Sequence, residues 1–173
     1  MYEASTLVLM LVTAILGWLQ FRAVREKRRA KNEITVHPDV RIYIGRDRVA
    51  QELVAITRRA HRGDTLFGSC RTCANYTGGL YEALAQSVGR GAVVHLVLST
   101  SKDAEELLGL LGSLDPSKVE LTRLGGDYPR MYGIAGKEVL MALPSSNAYI
   151  GCHFRDRDMV ESLYRLFRGY SKE

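Results

Sequence analysis

One segment in the second half of the chain brings together residue types that hold oxyanions. Arg130, Tyr132 and Lys137 lie within eight residues of each other, and Ser145 and Asn147 follow after a short apolar run. Arginine is a planar fork of donors, lysine is a point charge, and serine and asparagine are neutral donors, so the set suits a phosphate or carboxylate. The alternative is structural: Arg130 lies on the surface, Tyr132 packs in the core and residues 145–147 form a turn.

Histidine and cysteine supply further candidates. His153 is the candidate general base, because it follows the Ser145 to Asn147 segment by one predicted strand. Cys70 and Cys73 form a C-x-x-C pair, and Cys152 directly precedes His153, so a zinc site built from these three thiols is one interpretation. The spacing does not specify zinc, and neighbouring strand residues point to opposite faces, so buried thiols are the expectation. We expect no cofactor.

The N-terminal segment of the sequence predicts a membrane anchor. From Thr6 to Phe21 no residue is charged, and such a helix nearly crosses a hydrocarbon core of ~30 Å at about 1.5 Å per residue. Glu3 precedes this run, so a cleaved signal peptide is not favoured. A deeply buried core helix is the alternative, since the run is apolar on every face.

A basic segment follows the apolar run and sets the expected orientation. Its charged residues are Arg22, Arg25, Lys27, Arg28, Arg29 and Lys31. Such a cluster stays on the cytoplasmic side and attracts anionic lipid, here near Arg22, Arg25, Arg28 and Arg29. We therefore predict a single-pass membrane protein whose residues 1–31 are the anchor and basic segment, and whose residues 32–173 form a cytoplasmic domain.

Composition limits the partners of that domain. The chain has 173 residues and a net charge of +5, much of which lies in the basic segment. The domain itself is only mildly charged, so bulk electrostatics support nucleic acid weakly. An odd number of cysteines, three, in a chain placed in the cytosol favours thiols over disulfides.

Hydrophobic periodicity predicts a layered α/β domain with a mostly parallel sheet flanked by helices, preceded by the transmembrane helix. Strands are expected at residues 40–44, 64–68, 92–98, 119–124, 130–134, 139–143 and 148–154, and helices at 46–61, 80–88, 102–114 and 156–170. Residues 31–36 are expected to be a linker. Ligands of such sheets gather at strand ends, where the residues around 69–70 and 130–132 are expected to meet.

The spacing from Arg130 to Asn147 resembles the HxKxxxxD…GSxN signature of the phospholipase D-like superfamily. The strand Arg90-Gly-Ala-Val-Val-His-Leu-Val-Leu98 and the last helix are also similar to that family. The resemblance implies one half of a phospholipase D-like domain, a symmetric dimer that completes the site, and an architecture like the membrane-anchored, single-half nucleases typified by Zucchini. In that family histidine attacks phosphorus, and lysine and asparagine hold the phosphate.

The chain departs from the signature at the reactive positions. Arg130 stands at the histidine position and cannot form a phosphoenzyme bond, because a guanidinium has no usable lone pair. Tyr132 stands at the lysine position and Lys137 at the aspartate position, while Ser145 and Asn147 are retained. The motif is therefore degenerate.

Three functions remain open at this point. The first is a membrane-anchored, catalytically inactive domain that binds a phosphate-bearing or other anionic ligand, nucleic acid included, or a protein partner. The second is an active phosphodiesterase, a nuclease or phospholipase, with His153 as a displaced catalytic histidine. The third is a purely structural dimerisation module. We expect binding rather than catalysis.

Overall fold

A computed structural model of the chain describes residues 33–70, 79–99, 109, 111–125, 129–144 and 149–170. The chain divides into two compact units, Met1–Ile34 and Thr35–Glu173. Almost all of the first unit lies outside the described residues, including the predicted anchor and the basic segment. Within the described residues, no helix is both long and apolar enough to cross a membrane.

Eight strands and three long helices build the described part of the chain. The strands are β1 (Glu33–His37), β2 (Val40–Ile44), β3 (Thr65–Cys70), β4 (Val93–Ser99), β5 (Val119–Leu124), β6 (Arg130–Ile134), β7 (Glu138–Pro144) and β8 (Tyr149–Phe154). The helices are α1 (Arg46–Arg59), α2 (Leu80–Gly89) and α3 (Arg157–Tyr170). Of the predicted helix at 102–114, residues 109 and 111 are described, and both are helical.

The strands form one mixed sheet in the order β1-β2-β8-β7-β6-β3-β4-β5. Strands β3-β4 and β4-β5 pair in parallel, whereas β2-β8, β8-β7, β7-β6 and β6-β3 are antiparallel. The prediction of a mostly parallel sheet was therefore wrong. The reason lies in the connections: β6 and β7 are joined by three residues around Gly136 (φ 69°), and a connection this short makes a hairpin, since parallel neighbours need a long crossover.

The α/β layering was predicted correctly, because both faces of the sheet are covered by helices. On one face, the helix-pair face, α1 and α2 pack through Val49, Ile56 and Leu84. On the other face, the α3 face, Val160 and Phe167 of α3 pack against Phe67 and Val139. Burial on both faces explains why β4 reads as a continuous apolar run.

The two ends of the strands define two regions that are used below. At the carboxyl end of the sheet β3, β4, β5 and β7 stop, while β6 starts at Arg130 and β8 starts at Tyr149. At the amino end β3, β4 and β5 start, β6 ends at Ile134, β7 starts at Glu138 and β8 ends at Phe154. Strand β1, at one edge of the sheet, replaces part of the predicted linker.

Candidate functional site

Arg130 lies at the carboxyl end of the sheet and its backbone is fixed by one hydroxyl group. The hydroxyl of Ser69, near the end of β3, accepts a hydrogen bond from the amide of Met131 at 3.0 Å and donates to the carbonyl of Pro129. Both residues that flank Arg130 are therefore tied to β3. This meeting of the residues around 69 and 130 at a strand end was expected from the order of the elements.

The Arg130 side chain is half-buried and points to the helix-pair face, the same face as Tyr132 two residues later. Among the described residues, no carboxylate pairs with its guanidinium. Arg130 is paired with Ala142 of β7, and β7 ends at Pro144. Ser145 and Asn147 come directly after that strand, but they lie outside the described residues, so their part in a site with Arg130 stays a prediction.

Tyr132 belongs to the core and not to an open site. It is 5% exposed, and its hydroxyl lies 2.8 Å from the hydroxyl of Thr57 on α1. The single proton of the Thr57 hydroxyl goes to the carbonyl of Leu53, so Tyr132 donates to Thr57. Burial raises the pKa of Tyr132 well above its usual range, against the opposing hydrogen bond to Thr57.

The close approach of the Tyr132 ring depends on a glycine in the neighbouring strand. Gly68 is paired with Tyr132, and a Cβ atom at Gly68 would lie 2.5 Å from Cδ2 of the ring. Tyr132, which the family resemblance aligns with a phosphate-binding lysine, is thus built into the packing between β3, β6 and α1.

Lys137 lies at the amino end, away from Arg130. It sits in the β6-β7 turn, and its ammonium contacts both carboxylate oxygens of Asp64 at 2.7 and 2.9 Å. Burial of Asp64 would raise the pKa of its carboxyl, but the hydrogen bonds from Lys137 and from the backbone of His61, together with the charge of Lys137, outweigh burial and lower the pKa. Arg130 and Ile134, the two ends of β6, are about 13 Å apart, and Lys137 follows Ile134 in the turn. The structure therefore does not bring Lys137 together with Arg130.

His153 also lies toward the amino end, where it is 1% exposed. Its Nε2 atom is 3.0 Å from Oε2 of Glu138, its Nδ1 atom is 3.5 Å from Oε1 of Glu52, and its ring stacks on Tyr43. Strand register places His153 two strands and two residues from Arg130, about 12 Å between Cα positions. The imidazole is enclosed by carboxylates and does not face Arg130.

Glu138 is the buried centre of an ionic cluster, the Glu138 cluster, whose other members are Glu52, Arg59, His153 and Arg155. Arg59 donates through Nε at 2.8 Å and Nη2 at 2.9 Å to the two Glu138 oxygens, and also binds Glu52 at 2.8 Å. Nε of Arg155 lies 3.4 Å from Glu138. Burial alone would raise the pKa of Glu138, but the hydrogen bonds and the electrostatic attraction from His153 and Arg59 together outweigh burial and lower the pKa to about 2.

Sequence reasoning found only His153 of this cluster. Two signals were available: Glu138 is the single charged residue of an otherwise apolar strand, and Glu52 and Arg59 are seven residues apart on one face of a helix. An isolated charge in a buried strand requires a partner, and the helix covering that strand supplies it. The arrangement holds α1 to β7 and β8.

No metal site that includes a cysteine is seen among the described residues. Cys152 lies on the α3 face and His153 on the helix-pair face, as strand alternation predicts. Burial raises the pKa of the half-buried Cys152 thiol. Cys73 and the side chain of Cys70 lie outside the described residues. Within the described part of the chain, no group of three or more His, Cys, Asp or Glu residues could hold a metal ion.

Comparison with known proteins finds similarity in structure alone. No protein-family model and no curated protein matches the sequence. TrmBL2, an archaeal chromatin protein whose structure shows a novel mode of DNA binding, superposes with a TM-score of 0.62 at 15% identity, over 92% of this chain. The chain spans 62% of the length of TrmBL2.

Two phospholipase D-type proteins are matched over nearly their whole length. Nuc from Salmonella typhimurium, a phospholipase D family member, superposes with a TM-score of 0.60 at 11% identity, over 77% of this chain and 93% of Nuc. NucT from Helicobacter pylori gives a TM-score of 0.61 at 12% identity, over 75% and 93%. The chain therefore has a phospholipase D-like fold.

Proposed function

We propose that this chain is a phospholipase D-like domain that binds a phosphate-bearing ligand at the carboxyl end of its sheet without cleaving it. The observation that carries the proposal is the placement of Arg130, a half-buried arginine whose flanking backbone is tied to β3 at that end by Ser69. A guanidinium binds a phosphate through two parallel hydrogen bonds, and it cannot attack phosphorus.

The distribution of histidine supports the absence of cleavage. The chain contains four histidines. His37 ends β1, His61 lies between α1 and β3, His95 is the third residue of β4 and His153 is the second-last residue of β8. All four thus lie in the amino half of the sheet. No histidine occurs in the segments that follow the strands at the carboxyl end, residues 71–78, 100–108, 126–128 and 145–148, so a phosphohistidine intermediate beside Arg130 lacks its nucleophile.

An active phosphodiesterase that uses His153 is less well supported. A general base must lie within hydrogen-bond reach of the proton that it removes. His153 is 1% exposed and its ring nitrogens face Glu138 and Glu52. Cleavage through His153 would need the Glu138 cluster to open, which the number of its ion pairs opposes.

Nucleic acid is the first ligand to test. TrmBL2 shares the fold and is a DNA-binding chromatin protein, and a single-stranded or double-stranded oligonucleotide presents many phosphate diesters. From the sequence we further propose attachment to the cytoplasmic face of a membrane through residues 1–31, and a dimer of the kind the family resemblance implies.

The test measures binding and cleavage on the same samples of the full chain. Fluorescence anisotropy with labelled single-stranded and double-stranded DNA should show binding that Arg130→Ala weakens at least about tenfold, the loss expected for a bidentate phosphate contact. Arg58→Ala removes the same charge from an exposed position near the end of α1, and should change the affinity less than about twofold.

Cleavage is followed on the same oligonucleotides and on a generic phosphate diester. We expect no turnover above the rate without protein. Turnover that His153→Ala abolishes would replace the proposal with the phosphodiesterase, and equal affinities of the Arg130→Ala and Arg58→Ala variants would remove Arg130 from the site.

A further inference from the structure

Helix α3 buries one side and exposes a second apolar side to solvent. Val160 and Phe167 are 0% and 1% exposed and pack on the sheet, whereas Met159 and Leu166 are 44% and 43% exposed. Met159 and Leu166 are seven residues apart, so they lie on the same side of the helix, with the exposed Ser162 between them. Large side chains on a helix surface at this spacing are typical of a contact with another helix.

The apolar stripe formed by Met159 and Leu166 has an acidic neighbour near the start of α3 and a basic neighbour in its second half. Asp158 lies beside Met159 at the start of α3, and Arg165 lies beside Leu166 in its second half. Asp158 and Arg165 are also seven residues apart and share one flank of the stripe. Arg165 already has an exposed ion pair with Glu161, with Nε and Oε1 3.5 Å apart. Such an exposed pair contributes little, so Arg165 can exchange it for another carboxylate.

This order makes α3 complementary to an antiparallel copy of itself. If two α3 helices cross with Ser162 at the twofold axis, Met159 of each copy faces Leu166 of the other. The same crossing places Asp158 of each copy opposite Arg165 of the other, because in antiparallel helices the same flank faces itself. Both the apolar and the charged contacts then occur twice, as an isologous interface requires.

We propose that the outer side of α3 is an interface at which a second copy of this chain binds through its own α3, antiparallel, about a twofold axis beside Ser162. The occupant is a second copy because the stripe carries both signs of charge in self-matching order. A surface for anionic lipid would instead be basic along its whole polar flank. This interface lies on the α3 face, whereas Arg130 points to the helix-pair face, so it differs from the dimer implied by the family resemblance, which completes a phosphate site.

The test uses charge reversal in two differently tagged copies of the full chain that also carry Ser162→Cys, kept in one buffer and detergent, and capture is counted as the disulfide between the two introduced thiols. Copies joined at α3 can form this disulfide, so a dimer through the phosphate site does not contribute to the count. Asp158→Arg places a second arginine opposite Arg165, and Arg165→Asp places a second aspartate opposite Asp158. Each variant should capture its own kind about tenfold less than the wild type captures itself, because two attractions become two repulsions. A mixture of the two variants should recover wild-type capture, since the arginine introduced in one copy then faces the aspartate introduced in the other.

The mixture separates an interface from a folding defect, because a misfolded variant is not rescued by another. Glu82→Arg on the exposed side of α2 is the matched control for a reversed charge, and should capture itself like the wild type. Self-capture of either single variant at the wild-type level, failure of the mixture to recover, or a wild-type chain that does not capture itself would each overturn the proposal.

Discussion

The amino and carboxyl ends of the sheet differ in whether their charged side chains are paired within the protein. At the amino end, the Glu138 carboxylate faces Arg59, His153 and Arg155, and Lys137 is held by Asp64. At the carboxyl end, Arg130 is half-buried, and among the described residues no carboxylate faces it. Because its opposite charges pair with each other, the amino end stabilises the fold. A half-buried guanidinium that pairs with no described carboxylate makes the second region suited to an anion from outside.

This difference separates the residues that stabilise the domain from those proposed to bind. A substitution in the Glu138 cluster should change the free energy of unfolding and leave DNA affinity alone, whereas Arg130→Ala should do the reverse. The two regions lie on the same helix-pair face and are close enough that a loss of folded structure would reach both. Each variant is therefore measured for unfolding and for binding.

The largest effect is expected for Glu138→Ala. Removing the carboxylate takes one of two shared partners from Arg59 and the 1% exposed His153, and leaves Glu52 between them. Breaking a buried ion pair in this way costs about 3 kcal/mol, the lower end of the usual range, because Arg59 is 38% exposed and can be hydrated. Urea unfolding followed by circular dichroism measures the loss.

Glu82→Ala, at an exposed position of α2, is the control for losing a carboxylate, and should change the free energy of unfolding by less than about 0.5 kcal/mol. If Glu138→Ala were equally mild, the Glu138 cluster would not stabilise the fold and the contrast between the two ends would disappear.

A second effect of similar origin is expected in the pH dependence of stability. The pKa of Glu138 is lowered from 4.5 to about 2 in the folded chain. A carboxyl group whose pKa falls on folding stabilises the folded state above its unfolded pKa, and that contribution is lost as the pH falls from about 4.5 toward 2. The free energy of unfolding should therefore fall more steeply in this window for the wild type than for Glu138→Gln, which cannot titrate there.

Equal slopes for the two proteins below pH 4.5 would mean that Glu138 does not carry this charge. Asp64, whose pKa is also lowered, contributes to both proteins alike, because Lys137 is unchanged in the variant. The comparison between the variant and the wild type thus removes the Asp64 contribution and reports the Glu138 cluster.

The sequence predicted the elements better than their arrangement. Helix α1 was recognised because Val49, Leu53 and Ile56 repeat at helical spacing, and β4 because valines and leucines surround His95 in an almost unbroken apolar run. The direction of the later strands was missed, although three residues separate β6 from β7 and four separate β7 from β8, which already favours hairpins. Strand β1 was taken for a linker because it is an edge strand with little burial pattern.

The site was harder to predict because the sheet is covered on both faces. In β6 both Met131 and Tyr132 are buried, so a period of two does not tell which of them faces a given layer. The Glu138 cluster joins residues far apart along the chain, such as Arg59 and Glu138, which are 79 positions apart, and no local pattern reveals such contacts. The placement of Arg130 at a strand end was predictable, since it follows from the order of the elements alone.

The smallest effect is expected for Tyr132→Phe, which tests the residue that lies between the two ends. The variant keeps the ring against Gly68 and removes only the hydroxyl that donates to Thr57. The Thr57 hydroxyl still donates to the Leu53 carbonyl, so no buried donor is left without a partner, and the loss should be about 1 kcal/mol of unfolding free energy. Urea unfolding measures this loss, and DNA affinity should not change. A fall in affinity comparable to that of Arg130→Ala would instead place the Tyr132 hydroxyl in the binding site and join the two regions that the structure separates.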